Sequence, residues 1–241
     1  MNSTVPQIGF DRFIQLDWVA CALKVRANLS SIDELNGLLD AAGLGVAARK
    51  KTRTVLNRLW LEPRPELVDF ADRGARLFRD QPDISASALS WGMAIATYPF
   101  FGKVAELMGR LSALQGDCTS AELHRRMSEI YGEREGTYRM TNMVLQSQAS
   151  WGAMERVDKG KRLIRRAPTI LTNDHLVAWL VEAVLRYTGK AMSIPALQTM
   201  PVIYPFALDR PIAYVASNSP PLELRSEGSA NQFVALRESI S

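Results

Sequence analysis

The sequence predicts a mainly α-helical protein with helix-turn-helix modules, one of them a winged helix with a small β-ribbon. Three observations predict this class. Capping-box patterns at residues 31–34 and 119–122 mark the starts of two helices. Leu35, Leu38 and Leu39 have the spacing of a buried helix stripe. A basic segment with a lysine–glycine–lysine turn follows the later helices, as a DNA-binding wing would.

We divide the chain into three segments. Residues 1–85 form an N-terminal helical domain with a helix-turn-helix candidate, and residues 86–170 form a buttress helix plus the winged helix-turn-helix. Residues 171–241 form a C-terminal helical and proline-rich extension. Within these segments we expect Pro99 to break a long helix, and we expect strands at 212–216 and 233–236.

The N-terminal helix-turn-helix candidate has a basic second helix. Its first helix begins after Ser31 and ends at residues 43–45, and its second covers 47–61 before Pro63. The second helix carries cations and no acid. Such a helix either contacts phosphates or presents a solvated face, and both alternatives stay open. The cations are Arg49, Lys50, Lys51, Arg53 and Arg58.

The second module has a helix from the cap at Thr119 to Gly132 and another over 137–150. Its expected inner stripe is Tyr138, Thr141, Val144, Leu145 and Gln148. Its expected outer face carries Arg139, Asn142 and Gln146. Such side chains form bidentate hydrogen bonds to guanine or adenine edges, although they also suit any polar helix surface.

The predicted ribbon holds six basic residues and one acid between Arg156 and Arg166. Cations at its tip and edges would neutralise DNA phosphates and release counterions. The candidate contacts are Lys159, Lys161, Arg162 and Arg165. Strand alternation places Arg162 and Ile164 on one face, and Leu163 and Arg165 on the other.

The residues that usually carry catalysis form no recognisable pattern. His124 and His175 lack metal-ligand spacing, and His124 is expected on a solvent-facing side of its helix. Cys21 and Cys118 fit reduced, buried thiols. No phosphate-binding glycine loop or nucleophile elbow occurs. We therefore expect a protein that is not an enzyme and that takes no metal or cofactor.

The location of the protein is predicted from the absence of targeting and membrane segments. Residues 1–11 lack the features of a signal peptide, and no apolar run is long enough for a membrane span. We expect a cytoplasmic protein without membrane partners. The net charge of +4 is too mild to indicate nucleic acid by itself, so local clustering of cations carries that prediction.

The chain resembles the BrxA family of bacterial BREX phage-defence systems over about residues 45–157. The similar parts are the basic helix ending at 54–59, the segment 94–101 and the winged-helix region that follows. The resemblance implies a helical, non-catalytic DNA-binding accessory protein whose partners are double-stranded DNA and other proteins of a multi-subunit defence complex. Two alternatives remain: a structural adaptor that docks proteins through its winged helix, and a winged-helix transcription regulator.

Overall fold

The structure, a computed structural model, describes residues 9–227 and 231–237. Within these ranges the chain is mostly helical, with eleven α-helices and three small β-sheets. The signal-peptide prediction falls largely on residues 1–8, which lie outside the described residues. The ends of the first and third predicted segments, 1–8 and 238–241, also lie outside them.

The helices follow one another along the chain with short connections. They are α1 (Leu16–Arg26), α2 (Ile32–Ala41), α3 (Val46–Leu56), α4 (Val68–Asp80), α5 (Ala86–Thr97), α6 (Pro99–Leu111), α7 (Ser120–Tyr131), α8 (Glu135–Ser150), α9 (Asp174–Thr188), α10 (Ile194–Gln198) and α11 (Ile212–Ser217). A π-helical turn, Asn57–Leu61, continues α3. Short 3-10 turns lie at Pro65–Leu67, Asp158–Gly160 and Pro201–Ile203.

Eight short strands form the three sheets. They are β1 (Asp117–Thr119), β2 (Met154–Val157), β3 (Arg162–Arg165), β4 (Thr169–Leu171), β5 (Met192–Ser193), β6 (Phe206–Leu208), β7 (Leu222–Glu227) and β8 (Asn231–Leu236). The sheet orders are β1-β3-β2, β4-β6 and β5-β8-β7. The β4-β6 pair is parallel, and the other pairs are antiparallel.

Local chemistry accounts for several helix boundaries. Ser31 Oγ accepts from the Glu34 N–H, and the Glu34 carboxylate accepts from the Ser31 N–H, so the predicted capping box is present. Pro99 is the first residue of α6 and separates it from α5, which confirms the predicted break.

The centre of the molecule is α5, which is buried on nearly all sides and packs against α9. Gly92 lies against the Trp179 ring, where a Cβ would come within 2.3 Å of the ring. The Trp91 indole N–H donates to the Val202 carbonyl at 2.9 Å. The buried core therefore includes residues of all three predicted segments. None of the helices in the described ranges is long and apolar enough to cross a membrane.

The prediction of a strand at residues 212–216 is wrong, because this stretch forms α11. Ile212, Val215 and Ala216 are buried, and their i, i+3, i+4 spacing is that of one helix face. Pro211 occupies the N-cap and starts the helix. The strand predicted at 233–236 is confirmed as part of β8.

Candidate nucleic-acid interface

The predicted DNA-binding region forms a compact unit of strand, two helices and a hairpin. β1 leads into α7, α8 follows after a short turn, and β2 and β3 form the hairpin, with β3 between β1 and β2. Thr119 Oγ1 accepts from the Glu122 N–H at the start of α7, and Gly132, with φ +86°, ends it. Both boundaries are confirmed, whereas α8 begins two residues earlier than predicted.

The C-terminal end of α8 is fixed to the N-terminal part of the chain. The Ile14 N–H donates to Ser147 Oγ at 2.9 Å, and the Trp151 indole N–H donates to the Ile14 carbonyl at 3.0 Å. These buried bonds join residues more than a hundred positions apart. They hold α8 rigidly to the body of the protein.

The buried face of α8 is close to the predicted stripe. Thr141, Val144, Leu145 and Gln148 are buried, as expected. Tyr138 is instead 56% exposed, and the sequence-based placement of this residue is wrong. Thr137 takes the inner position, and the Tyr138 ring stacks on His124 with centroids 4.0 Å apart.

The three residues predicted for the outer face of α8 differ in their surroundings. Arg139 is exposed and makes no side-chain hydrogen bond or ion pair with any described residue. Asn142 is half-buried, and its Oδ1 accepts from Arg156 Nη2 at 2.9 Å. Gln146 is also half-buried. Arg139 is therefore the charged member of this set, and its guanidinium is free to contact a ligand.

The hairpin reverses through Asp158, Lys159 and Gly160, which have φ values of +52°, +57° and +82°. This left-handed backbone turns the chain tightly between Val157 and Arg162, which pair across the strands. Lys159 and Lys161 are exposed, and among the described residues neither has an ion-pair partner. The tip of the hairpin thus carries two lysines without ion-pair partners among the described residues, beside the exposed carboxylate of Asp158.

The arginines of β3 are held by the rest of the protein. Arg162 is paired with Asp117 on β1. Arg165 donates from Nη2 to the Tyr204 carbonyl at 2.7 Å and lies 5.5 Å from the centre of the Tyr204 ring. Leu163 between them is buried, as the alternation predicted. Arg165 shares the inward face with Leu163, so it anchors the hairpin to the body.

His124 contradicts the expectation of a solvent-facing residue. It is only 8% exposed because the Tyr138 ring covers it. Burial, with a smaller contribution from the charge of Arg156, lowers the pKa of His124 to about 4. Burial also lowers the pKa of Arg156. At neutral pH His124 is uncharged and contributes nothing to the positive potential of this unit.

Three of the four basic residues of α3 have side-chain partners, which lie outside this helix. Arg49 pairs with Asp40 at 2.8 Å, and Lys51 lies 3.7 Å from Asp11. Arg53 donates to two asparagine side chains, and Lys50 is exposed with no ion-pair partner among the described residues. Together with α2, this helix lines a cleft of about 600 Å³.

Groups suited to metal binding or nucleophilic catalysis are sparse. No cluster of three or more His, Cys, Asp or Glu residues within 9–227 and 231–237 is placed to hold a metal ion. Cys21 and Cys118 are free thiols, and burial raises the pKa of Cys118 to about 11, which makes it a poor nucleophile at neutral pH.

Comparison with known proteins identifies no relative. No protein-family model matches the chain, and no curated protein or solved structure is significantly similar to it.

Proposed function

We propose that the protein is a non-catalytic DNA-binding accessory protein of a bacterial phage-defence system of the BREX type. In this proposal the unit from β1 to β3 is a winged helix-turn-helix, with α8 as the helix presented to DNA and the β2–β3 hairpin as the wing. The strand–helix–helix–hairpin order and the sheet order β1-β3-β2 support that assignment. Other proteins of the defence complex are the proposed protein partners.

The observation that carries the proposal is the pair of free lysines, Lys159 and Lys161, at the tip of the hairpin. DNA phosphates bind cations that are not already neutralised, and Arg139 adds one such charge on α8. Arg162 and Arg165 already have partners within the protein, so their proposed part is to hold the hairpin in place. Phosphate contact is therefore better supported than base reading, which favours an accessory role over a sequence-specific regulator.

The proposal is tested by titrating duplex DNA at several salt concentrations and following fluorescence anisotropy. We expect binding at low salt that weakens steeply as salt rises, with similar affinity for a random duplex and one from the genomic neighbourhood. A strong preference for the genomic duplex would instead favour the regulator. Absence of binding at low salt would exclude both DNA-binding functions.

Protein docking through the same unit is the second candidate. Tyr138 and Ile130 are large apolar residues exposed on α8 and α7, where a partner protein could cover them. If the protein is an adaptor, we expect Tyr138→Ala to impair assembly with the partner proteins and to leave duplex binding unchanged. Co-purification of the complex with and without this substitution distinguishes the two functions.

A further inference from the structure

The cleft between α2 and α3 is a concave site that lies outside the hairpin unit. Its volume of about 600 Å³ is within the range of about 300–1,000 Å³ that small-molecule sites occupy. Leu44 and Val46 contribute apolar surface to its lining, whereas Leu39 below them is almost fully buried. Val46 is largely exposed, so its surface is available to a ligand. The cleft therefore has both the size and an apolar surface for a small organic molecule.

Arg53 lines this cleft and is oriented by neutral groups. Its Nε–H donates to Asn57 Oδ1 at 2.9 Å, and Nη1 donates to Asn36 Oδ1 at 2.7 Å. A guanidinium has five N–H donors, so three remain for a ligand. Because both partners are amides, they fix the position of Arg53 without cancelling its charge.

The remaining charges of the cleft also favour an anion. Lys50 lies one helical turn before Arg53, on the same face of α3, and has no ion-pair partner among the described residues. Arg49 is paired with Asp40, the carboxylate among the lining residues. The pair is neutral as a unit, so Lys50 and Arg53 leave the cleft positively charged.

We propose that this cleft binds a small phosphate ester with a flat apolar part, of which a mononucleotide is the representative. Arg53 and Lys50 would donate charge-assisted hydrogen bonds to the phosphate oxygens. The ring system would contact Leu44 and Val46. The site is distinct from the hairpin surface, because its lining residues lie between Asn36 and Asn57 and none belongs to β2 or β3.

The test is calorimetric titration of the full chain with AMP, adenosine and inorganic phosphate. We expect AMP to bind more tightly than either fragment. Asn36→Asp should weaken AMP binding by about tenfold, because a carboxylate then accepts from Arg53 and cancels its charge. Lys50→Ala should weaken it as well. Lys190→Ala removes an exposed charge elsewhere and should leave it unchanged.

Several outcomes would overturn the proposal: no AMP binding by the unmodified protein, equal affinity for inorganic phosphate, or full affinity in both Asn36→Asp and Lys50→Ala. Thermal unfolding of each variant establishes that it is folded. Competition of AMP with a single strand bearing a terminal phosphate distinguishes a nucleic-acid end from a free nucleotide as the source of the ester. Duplex binding is measured separately, so failure of the cleft proposal can be distinguished from failure of the proposed hairpin function.

Discussion

Arg156 Nη2 donates a hydrogen bond to Asn142 Oδ1 at 2.9 Å, and this bond joins the hairpin strand β2 to helix α8. The same guanidinium lies against Gly160 in the turn, where a Cβ would come within 2.8 Å of Nη2. One arginine thus sets the position of the hairpin tip relative to α8. The two surfaces proposed to contact DNA are held in a fixed relation before any ligand binds.

Removing the acceptor of this bond should destabilise the protein. In Asn142→Ala the partly buried guanidinium loses its side-chain partner, and we expect the free energy of unfolding to fall by about 1–2 kcal/mol. Urea denaturation followed by circular dichroism measures this change. Gln146→Ala, one turn further along the same face, is the matched control and should stay within about 0.5 kcal/mol of the unmodified protein. Equal losses in both variants would show that the bond contributes nothing specific.

The free lysines of the hairpin tip should determine the salt dependence of duplex binding. We expect Lys159→Ala combined with Lys161→Ala to reduce the slope of log affinity against log salt by about 2, because each phosphate contact contributes about 0.9. The double variant Lys24→Ala with Lys190→Ala removes the same charge from exposed positions outside the hairpin unit. It should leave the slope unchanged. Identical slopes in the two double variants would locate the DNA contact elsewhere.

Local patterns in the sequence predicted much of this unit. The cap at Thr119, the helix end at Gly132 and the reversal around Gly160 depend on residues within a few positions of each other. Such features follow from backbone geometry and side-chain capping, whatever the rest of the fold. For the same reason the burial of Leu163 followed from simple strand alternation.

Local patterns could not predict which cations are paired within the protein and which are free. Arg165 is held by the Tyr204 carbonyl, thirty-nine residues away, and Arg162 by Asp117, forty-five residues away. Periodicity identifies which face a residue occupies but not which distant segment packs against that face. Tyr138 shows the same limit, because its exposed ring stacks on His124, which belongs to a different helix. By contrast, the error at residues 212–216 was avoidable, because the helical spacing of Ile212, Val215 and Ala216 is visible in the sequence.

Acid should destabilise the protein partly through His124. Its pKa is about 4 in the folded state and about 6.5 in the unfolded chain, so the unfolded chain binds the proton more readily between these values. The contribution of His124 to the free energy of unfolding is fully present above pH 6.5. It is lost as the pH drops towards 4, by up to about 3 kcal/mol. His124→Phe keeps a ring against Tyr138 and should lose this part of the pH dependence. Urea denaturation at several pH values measures the difference, and parallel curves for the two proteins would contradict it.

The contact between α5 and α9 provides the strictest test of the core. At Gly92 an added Cβ would lie 2.3 Å from the Trp179 ring and 3.2 Å from Leu180, in an interior that has no room to yield. We expect Gly92→Ala to cost about 2–3 kcal/mol through overpacking. Gly37→Ala is the matched control, because Gly37 lies in helix α2 with open space around it and should gain about 0.5–1 kcal/mol from better helix propensity. Thermal and urea denaturation of both variants check the opposite signs, and a neutral Gly92→Ala would mean that α9 does not pack closely on α5.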